Sequence, residues 1–195
     1  MLDFLSLLVL AVACSAACGF RIFLPPLGLG IAAHIGAITL NPDMLWLANT
    51  WTLALLGLAS LFEITAYYIP WLDNLLDSIT TPTAVIAGTL LTSSMLTEYD
   101  PAVKWSLGLI AGGGAAGVVQ GSTVAIRASS TALTGGLGNF IVATIEWLLA
   151  ALIIYLAIIF PLLAILVLCA ILYGAFLIIQ KLRMRIKLRK RESFH

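Results

Sequence analysis

Arg21, Glu63, Arg127 and Glu146 are four charges set in otherwise apolar sequence. A charged side chain at the centre of a membrane span costs roughly 2.5–3.5 kcal/mol on insertion scales, so such residues mark ion pairs or a path for ions and substrates. Two of each sign invite pairing, either Arg21–Glu63 with Arg127–Glu146 or the crossed pairs. The arginines could instead lie near the membrane interface with their heads reaching water. A third arrangement is a site for an anionic group. The guanidiniums would hold the anion, and the glutamates would act as counter-charges or proton carriers.

Ser122, Thr123, Ser129, Ser130, Thr131 and Thr134 crowd around Arg127 in the chain. Hydroxyl donors beside a fixed guanidinium suit phosphate or carboxylate, although serines and threonines in spans also commonly bond only their own helix. Asn139 follows the Gly135–Gly138 break and reads as a helix cap or a further ligand. The anion site read this way comprises Arg21, Arg127, Glu63, Glu146, Ser130, Thr131 and Asn139. His34 reads as a packed residue bonded to backbone. Asp73 and Asp77 share a polar face that water would cover, with a bound cation as the alternative. Cys14, Cys18 and Cys169 lack metal-ligand spacing, and neither a cofactor nor a metal is expected. The chain carries no nucleotide-binding loop, Ser-His-Asp set or HExxH motif, which disfavours a conventional hydrolase or ATPase.

Composition says what must position these residues. The 195 residues are 62% hydrophobic and only 10% charged, with a mean hydropathy of +1.10. A soluble domain carries about 25% charged residues, so the chain reads as an all-α integral membrane protein. Residues 2–19 form an expected first span. Pro25, Pro26, Gly28 and Gly30 make 22–40 a broken or re-entrant segment. The turn Asn41–Asp43 opens a helix running to about Ile69, with Trp46 and Trp51 at the interface. Residues 71–78 read as a short surface helix and 82–96 as a short span. Asp100 caps a helix starting at Pro101, in which Gly113, Gly117 and Gly121 permit close approach within the bundle or, second, in a homo-oligomer. The apolar run 140–180 would be about 60 Å long as one helix, twice the hydrocarbon thickness, so it folds back near Phe160-Pro161. About six transmembrane helices with broken or re-entrant segments result.

Seven of the ten basic residues fall between Lys181 and Arg191. Such a tail belongs in the cytoplasm and fits anionic lipid headgroups, not nucleic acid. Two halves, 1–97 and 101–183, precede the basic tail at 184–195. Each half presents an arginine, a glycine- or proline-bearing break and a glutamate. With three spans per half the repeats would be inverted, as in many transporters whose sites lie at the repeat interface.

Several segments together carry a resemblance: Gly19-Phe20-Arg21-Ile22-Phe23-Leu24-Pro25, Glu63 ahead of Ile69-Pro70-Trp71-x-Asp73 and Asp77, and Arg127–Thr131 leading into Thr134-Gly135-Gly136-x-Gly138-Asn139 and Glu146. Over most of residues 10–160 the chain resembles the bacterial domain-of-unknown-function 4126 family. That resemblance supports a helical membrane architecture and lends no activity. The reading that follows is an inner-membrane protein, a small transporter or lipid-handling permease for an anionic small molecule or lipid. The alternative is a non-transporting scaffold or assembly partner with structural ion pairs. An enzyme ranks third, because no nucleophile–base set is present.

Overall fold

The computed structural model describes residues 4–192, except for the side chains at 70, 71, 73, 74, 182, 183 and 185–192. All regular structure in it is helical. The Asp73 side chain and the side chains of the basic tail beyond 184 lie outside the described residues.

Helix α1 (Phe4–Cys18) lies at the centre. Its second half, Ala13 to Cys18, is buried throughout, and its alanines, serine and cysteines are small enough for neighbouring backbones to come close. It packs on α2 (Leu24–His34), α4 (Pro70–Met95), α6 (Gly114–Thr134), α7 (Asn139–Ile159) and α8 (Pro161–Glu192). With 15 described helical residues, about 22 Å of helix, α1 occupies the span expected over 2–19. The helix ends at Cys18, where the chain turns at Gly19 and Phe20, whose N–H groups donate to Ala16 O and Ala17 O. A side chain at Gly19 would overlap the Ala116 carbonyl and the Gln120 amide. The turn therefore fits tightly against α6 and delivers Arg21 into the bundle.

Among the described residues, length and apolarity qualify four stretches to cross a membrane: Leu75–Met95, Pro101–Thr134, Asn139–Ile159 and Pro161–Lys181. A fifth is obtained if the 3₁₀ segment Pro42–Ala48 and α3 (Thr50–Ala66), bent by 66° relative to each other, count as one span. This is a polytopic helical membrane protein, with four to five such stretches against the six expected. The single helix expected from the Asn41 turn to Ile69 is broken at Asn49. The Asn49 side chain accepts from Trp51 N at 2.9 Å and starts α3 afresh.

The largest departure is α4. The separate surface helix at 71–78 and short span at 82–96 are one continuous helix of 26 residues that passes through Pro82. Proline removes one helical donor. The helix nonetheless continues through it, and the threonines on either side bond back to their own helix, Thr81 Oγ1 donating to Asp77 O at 2.6 Å and Thr83 Oγ1 to Ile79 O at 2.7 Å. The expected reversal at Phe160 is present, and α7 and α8 pack together on either side of it.

Between α5 (Pro101–Leu107) and α6 runs a π-helical segment, Gly108–Gly113. It packs on α4 with almost no side chain between the two. A methyl group at Gly112 would strike Gly88 O and the Thr92 hydroxyl, and one at Gly113 would strike the Thr89 hydroxyl. Ser15 Oγ donates to Gly88 O at 2.8 Å and lies 2.8 Å from Thr92 Oγ1, tying α1 into the same contact. The glycine stripe is thus divided: Gly113 is buried against α4, whereas Gly121 faces open space. Gly112→Ala should lower thermal stability in detergent by the equivalent of about 1–3 kcal/mol, the usual cost of overpacking. Gly121→Ala should leave stability unchanged or raise it by up to about 1 kcal/mol, since a mid-helix glycine is entropically poor.

Candidate functional site

The helix breaks and ends converge on one group of side chains. Arg21 arrives on the turn after α1, and Tyr67 caps the C-terminus of α3, its N–H donating to Glu63 O at 3.3 Å. Asp77 and Thr80 lie one turn apart on α4, Gln120 and Arg127 two turns apart on α6, and Glu146 two turns into α7. Spacings of three, four and seven put side chains on one helical face, so each helix presents its polar residues to the same interior point.

Both arginines are 1% exposed and Glu146 is 2% exposed. Glu146 receives them together. Arg21 Nη1 lies 3.1 Å from Glu146 Oε2, Arg127 Nη2 donates to that same oxygen, and Arg127 Nε donates to Oε1 at 3.1 Å. Arg127 Nη1 reaches across to Asp77 Oδ1 at 2.5 Å. Arg21 also donates to the carbonyls of Phe20 and Ala143, both at 2.9 Å. Tyr67 provides the packing surface, with Arg21 Cζ 4.2 Å and Arg127 Cζ 4.1 Å from its ring centroid. Cation–π attraction of this kind strengthens when water is excluded. The Tyr67 hydroxyl lies 3.1 Å from Thr80 Oγ1, which accepts from Gln120 Nε2 at 3.0 Å. Within this cluster Arg21 Nε has no hydrogen-bond partner among the described residues.

Two hollows touch the cluster on different faces of α6. One, of about 290 Å³, is lined by Asp77, Ser78, Thr81, Val124 and Ala128. The other, of about 140 Å³, lies among α6, α7 and α8, with Glu146, Phe20 and Thr123 in its wall. Arg127 links the carboxylates that border them.

Of the residues expected to form the anion site, Arg21, Arg127 and Glu146 come together. The pairing combines an expected pair, Arg127–Glu146, with a crossed one, Arg21–Glu146. Glu63 lies beside the cluster but joins none of its ion pairs among the described residues. Its carboxylate accepts from Ile22 N at 2.8 Å and Phe23 N at 3.3 Å, at the N-terminus of α2. Thr131 and Asn139 bond each other across the α6–α7 break, Asn139 Nδ2 donating to Thr131 Oγ1 at 3.0 Å. Ser130 sits at the same turn, where its carbonyl accepts from Thr134 Oγ1. Ser122, Ser129 and Thr123 donate to carbonyls of their own helix. His34 Nδ1 is bonded to the Ala48 carbonyl at 2.8 Å, as expected, but the residue is exposed and not packed in the interior.

Asp77 is a correction. Water does not cover it: it is 8% exposed and paired with Arg127. Thr80 and Gln120 are further members that spacing along single helices did not single out. The useful signal was the four-residue step from Glu63 to Tyr67, which puts an aromatic ring on the same helix face as an embedded acid.

A multi-span helical protein with buried arginines and carboxylates gathered where its helices break is the class these features define. The family model described as domain of unknown function (DUF4126) matches residues 8–181, and the chain belongs to that family. No curated protein and no solved structure matches the chain.

Removing one partner of a buried pair leaves an uncompensated charge, at a cost of about 3–5 kcal/mol. Glu146→Gln, which strips a carboxylate from both arginines, should destabilise the protein by that order. Tyr67→Phe should cost about 1 kcal/mol or less through the Thr80 bond, and Tyr67→Leu clearly more. Thermal unfolding in detergent checks the order of the three.

Proposed function

We propose that the protein is a small permease of the bacterial inner membrane that passes an anionic group, of a small molecule or a lipid, through the Arg21–Arg127–Glu146 cluster. One observation carries this reading. Arg21 is buried to 1% exposure and its Nε–H has no acceptor. Leaving a buried donor unmade costs about 1–3 kcal/mol, and an anionic oxygen beside Arg21 would remove that cost. Sharing of Glu146 Oε2 by both guanidiniums supports the same idea, because Arg21 reaches only that oxygen, one fewer than a full fork–fork pair supplies, whereas Arg127 engages both. The hollows beside Asp77 and Glu146 give room for a ligand near the cluster.

In this reading α1, α3, α4, the joined α5–α6, α7 and α8 are six crossings and α2 is re-entrant. Both termini face the cytoplasm, and the basic tail meets anionic headgroups. The halves 1–97 and 101–183 form an inverted repeat, with Arg21 and Glu63 the counterparts of Arg127 and Glu146. Ser130, Thr131 and Asn139 then belong to the break that lets α6 and α7 move. A scaffold is the second reading. It is favoured by Arg127, which already engages Glu146 and Asp77 as a purely structural residue would.

The test is thermal unfolding of the purified protein against phosphates, carboxylates and anionic lipids, with Arg21→Lys in parallel. Lysine keeps the charge but loses the guanidinium fork. A permease predicts stabilisation by one ligand class, about 2.7 kcal/mol at a hundredfold excess over Kd, and its loss in Arg21→Lys. A flat panel with a merely less stable variant supports the scaffold.

A further inference from the structure

Two guanidiniums meet three carboxylates at this site: Glu146 and Asp77 in ion pairs, and Glu63 on the backbone just past Arg21. With all three acids ionised the group carries a formal charge of −1, offset in part by the α2 N-terminus, worth about +0.5. An anion arriving alone would take the group to −2 inside a low-dielectric bundle, where unbalanced charge is costly. If one carboxylate takes a proton at the same time, the formal charge stays at −1.

The three acids are not equivalent as proton acceptors. Protonating Glu146 would break contacts to both arginines, and protonating Asp77 would break its pair with Arg127. Glu63 makes no ion pair among the described residues. It holds two backbone N–H groups, a short bond from Ile22 and a longer one from Phe23. A protonated carboxyl keeps a carbonyl oxygen that still accepts from Ile22 N, so only the weaker contact to Phe23 N is given up. Charged or titratable groups face Glu63 from the packed elements. Arg21 comes from the α1–α2 turn and Cys18 from α1, with Arg127 of α6 farther off. Tyr67 lies one turn on along α3.

We propose that anion binding at Arg21 is coupled to uptake of one proton from water by the Glu63 carboxylate, making the protein a proton–anion co-binding permease. This rests on the anion-permease reading. The proton comes from bulk water, converts the carboxylate of Glu63 to a carboxylic acid, and leaves again when the anion is released. Its arrival frees the Phe23 N–H at the start of α2 and so loosens the segment that carries Arg21. Glu63 is a positioning residue here, acting on the anion through charge and through the α1–α2 turn.

The test uses the full chain in detergent and three probes that do not titrate near neutrality: dimethyl phosphate, acetate and dihexanoyl phosphatidylglycerol. The last separates a lipid headgroup from a free anion. Binding is followed by calorimetry in buffers of differing ionisation enthalpy, which counts protons, and repeated across pH. Wild type should take up one proton per anion, with affinity rising about tenfold per pH unit toward acid. Glu63→Gln should bind with little pH dependence and no uptake. The proton count on wild type stands even if the variant fails to fold. Binding without uptake, or undiminished uptake in Glu63→Gln, overturns the coupling and leaves the permease reading intact. No binding of any probe at any pH overturns both.

Discussion

Glu146 is the point on which the interior depends. One carboxylate accepts from two buried arginines that reach it from different parts of the chain, Arg21 on the turn after α1 and Arg127 on α6. Like charges brought this close repel strongly where water is excluded. The Tyr67 ring, whose face attracts cations, and the Asp77 carboxylate complete the compensation. Helices α4, α6 and α7, the end of α3 and the α1–α2 turn all supply part of this group, so it fixes their mutual positions at one depth.

The cluster can form only because the backbones around it come close. Gly19 lets the turn bearing Arg21 rest on α6, and the π segment of glycines brings α4 against the chain leading into α6. A hydrophobic driving force between helices is weak in lipid, so close van der Waals packing and interhelical hydrogen bonds do most of the joining. The Ser15–Gly88–Thr92 contact is one of those bonds. Small residues thus bring the charged ones together, and the ion pairs in turn specify which faces meet. A buried pair is a poor source of net stability compared with well-packed apolar side chains.

The membrane class, the reversal at Phe160–Pro161 and the four embedded charges were legible because each is a local signal: hydropathy, a residue lacking an N–H, or a charge among apolar neighbours. The break expected over Pro25–Gly30 was misplaced, since those residues lie within α2 with the prolines in its first turn, and the chain breaks before them at Gly19–Phe23. The partnerships were not legible. Asp77 lies in a stretch with Asp73, Asn74, Ser78 and several threonines, so nothing along the chain distinguishes it from a wet surface residue. Only the approach of Arg127 from α6 makes it interior. Pro82 marked an apparent helix boundary, yet α4 runs through it without interruption, since a proline costs the helix a single donor. The hydroxyls around Arg127 misled in the opposite sense. Ser122, Thr123 and Ser129 are close to it in sequence but spend their protons on carbonyls of α6.

Glu63 and Glu146 show how similar residues take different tasks from their surroundings. Glu146 meets two cations and is fixed. Glu63 meets two amides at the mouth of a short helix and makes no ion pair among the described residues. The most direct measurement is proton movement in sealed liposomes containing the protein and a pH-sensitive dye. An inward gradient of the anion that stabilises the protein should acidify the lumen, and Arg21→Lys should abolish the signal while remaining folded. A lumen pH indifferent to every anion gradient, with folded protein in the membrane, would contradict the permease reading and leave the charges as structural ties.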